Sequence, residues 1–373
     1  MDVVDDVCSR HWLEVFFEYC VGNRPCVLPS PVTDGWAARI DWVTAEGRPN
    51  LELLEKEYGH LRVPVIVDGE CEPVDESFAE YIHYCRGKKD GDTLRYLKDW
   101  HFQEAAGSDV YCPPACLAPD WINRESWTST AASPFDAADY RFVYFGVAET
   151  WTPLHSDVVA SHSWSANVCG RKRWLFVPRG EEARFMKNGQ LIADLRVDEA
   201  GWRAAGGFEL VQAPGEIVFV PTNWHHQVHN LEDTISINHN VVNASNVGLV
   251  AEFLLSRLKD VRDEIGHLTG VFDDDEMREK ERLILRADAR LDLEGLSSLC
   301  RMVIDSRLER GIDVCFVCPR HEDVVQCRMG SRCCRPLPCE CTTSTCALCT
   351  RLLGEYELTT AALVLHRLER EQR

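Results

Sequence analysis

The 373-residue chain is 45% hydrophobic and 27% charged, with 11 Trp and 14 Phe, enough apolar material to bury one large core or two ordinary ones. Sixty acidic against 40 basic residues leave a formal net charge of −20; phosphate repels such a surface, which argues against direct nucleic-acid binding and suits a basic protein partner. No stretch of 18 apolar residues predicts a membrane span, and the start MDVVDDVCSRHW lacks the basic and apolar regions of a leader, so a cytoplasmic protein is expected, with the nucleus also open to it.

The first elements are mixed. Apolar spacing predicts a helix over 7–22, ending at Gly22, and a short strand over 24–28. A second helix is expected over NLELLEKEYG, then an apolar strand over 63–67. SFAEYIHYC (77–85) opens on a serine fit to cap a third helix, and TLRYLKDW (93–100) reads as a strand. From residue 140 the pattern changes. YRFVYFGV, SWSANVCG, KRWLFVP, EIVFVP, HQVHNL and TISINHNVV are short, rich in β-branched and aromatic residues, and broken by Gly, Pro or Asn. Such spacing predicts an antiparallel jelly roll with helices before and after it. Helical period returns over 246–268, 276–290, 293–310 and about 350–371.

Cysteine placement marks a further boundary. Of 18 cysteines, eight precede residue 170, none lies between 170 and 299, and ten follow from Cys300. Without an export signal these are not read as a disulfide framework. Cys315, Cys318, Cys346 and Cys349 form two CxxC pairs with zinc-ligand spacing, and His321 is a spare donor. Free thiols on an extension account equally for the irregular cysteines between them. The expected layout is 1–100 packing on the barrel, 101–250 the core, 251–311 helical, 312–349 Cys-rich and 350–373 a closing helix.

The chemistry concentrates in two stretches. WTPLHSD carries His155 and Asp157, two residues apart and so on one side of a strand end. VPTNWHHQVHN, about 70 residues later, offers His225, His226 and His229, with His239 beyond. Two neutral imidazoles and one carboxylate on one face of a metal are what mononuclear non-haem iron requires. A lone His-x-Asp is more often structural, and the residues by themselves do not separate the later histidines. In GRKRWLFVP, alternation puts Arg171 and Arg173 on one face and Lys172 on the other with Trp174 and Phe176. Taken alone, all three cations read as exposed strand charges.

Order and spacing of WTPLHSD, SWSANVCGRKRWLFVP, GEIVFVPTNWHHQVHNL and TISINHN resemble the JmjC family of Fe(II)- and 2-oxoglutarate-dependent oxygenases. The resemblance implies a double-stranded β-helix (jelly-roll, cupin) core, mainly β with flanking helices and a C-terminal helical region. It implies iron ligands at His155, Asp157 and His226, and a 2-oxoglutarate anchor at Lys172. Thr152, Asn238, Asn240, Tyr96 and Trp164 match positions near the co-substrate or the iron; Ser165 stands where relatives often have asparagine. Within the family, RYLKDWH, DYRFVYFG and the segments above resemble the jumonji-domain-containing protein four group. That likeness, over most of residues 10–310, implies a dioxygenase that hydroxylates a lysine side chain of the eukaryotic translation termination (release) factor. A lysine demethylase and a non-catalytic scaffold with a metal-binding tail are the rival readings.

Overall fold

A computed structural model describes residues 1–4, 10, 12–68, 70, 72–123, 139–268, 270–310 and 347–371. In chain order its strands are β1 (Asp2–Val3), β2 (Cys26–Leu28), β3 (Arg62–Val67), β4 (Val74–Ser77), β5 (Arg95–Trp100), β6 (Arg141–Gly146), β7 (Trp151–His155), β8 (His162–Cys169), β9 (Lys172–Phe176), β10 (Met186–Lys187), β11 (Gln190–Leu191), β12 (Phe208–Gln212), β13 (Ile217–Val220), β14 (His226–Asn230) and β15 (Thr234–Val241). Nine join one sheet in the order β1-β2-β13-β8-β15-β6-β5-β3-β4, and four join a second in the order β12-β9-β14-β7. From β6 onward the chain passes back and forth between these sheets. This is the double-stranded β-helix with flanking helices that the sequence predicts.

Sequence explains which strands lie deepest. Ile217–Val220 is buried at every position, and β8 and β15 are buried at nearly all of theirs, because both faces of the large sheet are covered. Fully burying each such side chain contributes about 1.5–3 kcal/mol. Phe16, Trp42, Phe78, Trp100 and Phe102 fill the space between the large sheet and the N-terminal helices. On the far side, helices Val247–Ile265, Asp274–Ala289, Leu293–Arg310 and Ala347–Glu371 pack with Trp121, Tyr140 and Val242. Between the sheets lie Trp174, Phe176, Val218, Val220 and Val228; Leu154, Leu175 and Trp202 cover the small sheet's outer side.

Local signals set the helix ends. Asn50 accepts from the Leu53 amide at the start of Leu51–Tyr58, and Ser77 and Glu80 form a capping box at the start of Phe78–Gly87. Some bounds differ from the sequence reading. The first helix begins at Trp12 among the described residues and continues as a π-helical turn over Phe16–Val21. The last begins at Ala347, inside the stretch read as Cys-rich. The proposed zinc donors Cys315, Cys318, Cys346 and His321, and the side chain of Cys349, lie outside the described residues. No described helix is long and apolar enough to cross a membrane.

Candidate active site

His155 ends β7, and antiparallel pairing with β14 sets His226 directly across from it. Their ring centroids are 4.3 Å apart. Asp157 follows two residues later in extended backbone. One donor atom from each of His155, Asp157 and His226 falls within 4.8 Å of the others. Both rings are oriented by the backbone. His155 Nδ1 lies 2.8 Å from the Pro153 carbonyl and His226 Nδ1 lies 2.9 Å from the Trp224 carbonyl. A carbonyl only accepts, so each Nδ1 carries a proton, which in a neutral ring leaves Nε2 as the nitrogen free to bind a metal. Burial, reinforced by His226, holds the His155 imidazole well below its ordinary range, in the neutral form a metal needs. Asp157 is held at both oxygens: Ser163 Oγ donates to Oδ2 at 2.8 Å and Asn240 Nδ2 to Oδ1 at 3.3 Å. Trp174 stacks over His226 at 5.5 Å. Two neutral imidazoles and one carboxylate at the wall of a cavity suit a divalent iron ion with open positions.

That cavity, about 710 Å³, is also lined by Tyr96, Thr152, Trp164, Ser165, Lys172, Asn238, His239 and Asn240. Lys172 is 2% exposed, and its Nζ donates to Ser236 Oγ at 2.7 Å. It makes no ion pair among the described residues. Burial, and then the charge of Lys98, push its pKa down to about 7. A buried ammonium with no carboxylate is costly unless an anion arrives, so the site fits the far carboxylate of a 2-oxo diacid. Tyr96, its hydroxyl pushed up to about 12 by burial, stands near Asn230 and Thr152. Asn238 Nδ2 lies 3.1 Å from Ser236 Oγ. The Trp164 indole N–H and the Ser165 hydroxyl are buried with no hydrogen-bond partner among the described residues.

The remaining sequence candidates lie elsewhere. His225 is outside the cavity lining, with Nδ1 3.9 Å from Glu182. His229 stacks flat on Trp151 and pairs with Gln227, and burial lowers its pKa to about 4. His239 lines the cavity, but its Nε2 pairs with the Tyr111 hydroxyl and its ring stacks on Trp164 at 4.1 Å. Arg171 and Arg173 face outward to Glu232 and Glu209. Sequence reasoning missed Ser236, Ser163, Lys98, Asp99 and Tyr144. Ser236 shares a strand face with Asn238, Ser163 with Ser165 and Lys98 with Tyr96, so alternation could have found these three; nothing in the sequence points to Asp99 or Tyr144.

A model of the JmjC domain, hydroxylase, matches residues 142–196 and 206–241, which carry all four strands of the small sheet and β6, β8, β13 and β15 of the large one. The chain belongs to the JmjC-domain family. It is 38% identical to the 2-oxoglutarate and iron-dependent oxygenase JMJD4 of Gallus gallus over 337 residues, covering 84% of this chain and 77% of that protein. Against JMJD4 of Homo sapiens it is 37% identical over 310 residues, 78% of this chain and 72% of that one. It is also 40% identical over 281 residues to the arginine-specific demethylase JMJ20 of Arabidopsis thaliana, 69% of this chain and 60% of that one.

Proposed function

We propose that this protein is an Fe(II)- and 2-oxoglutarate-dependent protein hydroxylase whose target is a lysine side chain of the translation termination (release) factor. The observation that carries the enzymatic part is the pairing of the His155–Asp157–His226 cluster with the unpaired buried Lys172 in one cavity. The similarity to proteins named as iron- and 2-oxoglutarate-dependent oxygenases supports the cofactor choice. The lysine target rests on the sequence likeness to release-factor hydroxylases.

His155 and His226 would bind iron through Nε2, and Asp157 through a carboxylate oxygen. Lys172 would hold the far carboxylate of 2-oxoglutarate, with Tyr96 and Thr152 beside it. When bound, these groups and oxygen supply an oxidant able to insert one oxygen atom into a C–H bond, with succinate and carbon dioxide as coproducts. The chain's own work is positioning. Ser163 and Asn240 orient Asp157, backbone carbonyls fix both imidazoles, and Trp164, Trp174 and Val228 wall the cavity against water. No side chain is needed as a general acid or base.

The likeness to an arginine-specific demethylase favours a second reading, N-demethylation. One assay separates them. Purified release factor is incubated with the iron-loaded enzyme and 2-oxoglutarate, and its peptides are weighed. A lysine peptide that gains one oxygen, with matching succinate, supports hydroxylation. Loss of a methyl group from a methylated peptide supports demethylation, and turnover of neither overturns the proposal.

A further inference from the structure

Tyr96 faces the cavity and Leu97 faces the aromatic core, as alternation in β5 requires. Regular alternation would then send Lys98 to the cavity, Asp99 to the core and Trp100 to the cavity. The structure breaks this phase. Lys98 and Asp99 both line the cavity, while Trp100 is buried in the core. The cause is local: the β5–β6 register shifts between Leu97 and Trp100, and Asp99 sits at φ +58. A bulge with a left-handed non-glycine residue is a device for re-aiming a side chain next to a site.

Lys98 and the re-aimed Asp99 are opposite in charge yet not paired with each other among the described residues. Asp99 accepts from the Tyr144 hydroxyl through Oδ1 at 2.6 Å and makes no ion pair among the described residues. Of the two carboxylates on the cavity wall, Asp157 is committed to the histidine cluster, Ser163 and Asn240, which leaves Asp99 open to a cation. The Lys98 ammonium lies 5.8 Å from the centroids of both the Tyr96 and Tyr144 rings. It shares the cavity lining with His155 and Lys172.

We infer that Asp99, backed by Tyr144, receives the ammonium of the target side chain, and that Lys98 keeps that ammonium away from the metal end of the cavity. This deepens the lysyl reading above and rests on it. A hydroxylase must present a side-chain carbon to the oxidant while the ammonium lies further off. A demethylase must bring the carbons attached to nitrogen to the same point. A cation on the wall of the cavity that holds the metal ligands favours the first arrangement over the second.

The test uses the full chain loaded with Mn(II) and 2-oxoglutarate, and three small probes: Nα-acetyl-lysine N-methylamide, its norleucine counterpart and its Nε-trimethyl form. Binding and carbon-to-manganese distances are read by paramagnetic NMR relaxation. The wild type is expected to bind the lysine probe roughly tenfold or more tighter than norleucine, with the terminal carbon further from the metal than the inner methylenes. Asp99→Asn should abolish that preference, and Tyr144→Phe should reduce it should Asp99→Asn fail to fold. Lys98→Met should draw the trimethyl probe closer to the metal and tighten its binding. Equal binding of lysine and norleucine by the wild type, or an undiminished preference in Asp99→Asn, overturns the inference. An unchanged trimethyl probe in Lys98→Met overturns the role of Lys98. Failure of the lysyl reading looks different: the probe preference stands, and release factor incubated with active enzyme gains no oxygen on lysine.

Discussion

His155 and His226 face each other across β7 and β14, and each is locked in the same way, Nδ1 against the carbonyl two residues before it. The shared lock sets both tautomers, so the metal-facing nitrogens are ready without rearrangement. Removing one partner of the oriented carboxylate tests how much this orientation matters. Ser163→Ala takes away the 2.8 Å hydrogen bond to Asp157 and is expected to weaken Fe(II) affinity by about 10–100-fold, as loss of an outer-sphere partner does. His155→Ala should lose more than that, leaving iron content at background by elemental analysis. Retention of wild-type iron by His155→Ala would remove this residue from the ligand set.

Lys172 predicts a pH dependence of co-substrate binding. The dianion needs the protonated ammonium, whose pKa before binding is about 7. Below that pH the competent form dominates and affinity is flat. Above it, each pH unit lowers the protonated fraction about tenfold, so the Kd for 2-oxoglutarate rises by up to about tenfold per unit. Binding therefore takes up a proton, which calorimetry in buffers of different ionisation heat measures directly. Lys172→Met should bind weakly with a flat profile. Lys98→Met should move the onset to higher pH, because Lys98 contributes to the depression. A wild-type Kd that stays constant from neutral to alkaline pH would contradict this account.

The parts of this fold legible in the sequence are those that local physics decides. Ser77 announces its helix because the capping box is a contact over three residues, and Ile217–Val220 announces a buried strand by composition. Alternation in Lys172–Phe176 correctly separates Lys172 from Arg171 and Arg173. What stayed hidden is long-range or irregular. Nothing in RPCVL reveals that Cys26–Leu28 pairs with β13, almost 200 residues on. Nothing in RYLKDW reveals a bulge, because lysine and aspartate give no sign of the left-handed backbone at Asp99. The three histidines of WHHQVHN were inseparable by residue type. Pairing with His155 and the cavity lining distinguish His226, since His225 and His229 lie off that lining and His229 pairs with Gln227.

Gly146 supplies a test of the co-substrate wall that touches no ligand. A Cβ there would lie 2.2 Å from Asn230 Nδ2, 2.5 Å from Thr150 Oγ1 and 2.8 Å from the Tyr96 ring. Those contacts are too short to tolerate, so Gly146→Ala must displace Tyr96 or Asn230. The expected cost is about 1–3 kcal/mol of stability, together with weaker 2-oxoglutarate binding and unchanged iron affinity. Loss of stability with unaltered 2-oxoglutarate affinity would show that Tyr96 does not position the co-substrate.

The closing helix is tied to the site through a buried charge. Arg307 and Glu357 form an ion pair that is 0% and 1% exposed, and the Trp121 indole donates to Glu357 Oε1 at 2.9 Å. Trp121 in turn bonds the Val242 carbonyl, and nearby Asn123 bonds the carbonyl of Asn240, whose side chain holds Asp157. Breaking one half of such a pair is costly because the other charge is left buried without compensation. Glu357→Gln is therefore expected to lower unfolding stability by about 3–5 kcal/mol, whereas Arg307→Met with Glu357→Leu together should cost far less. Urea unfolding of the two variants decides the point. Equal destabilisation would mean that the indole hydrogen bond and the shape of the pair, which Glu357→Gln can keep and the double variant loses, weigh as much as its charge. Iron affinity measured on the same proteins then tells whether the path from Trp121 to Asp157 carries that disturbance to the metal ligands, because a merely global loss of stability leaves the affinity of the folded fraction unchanged.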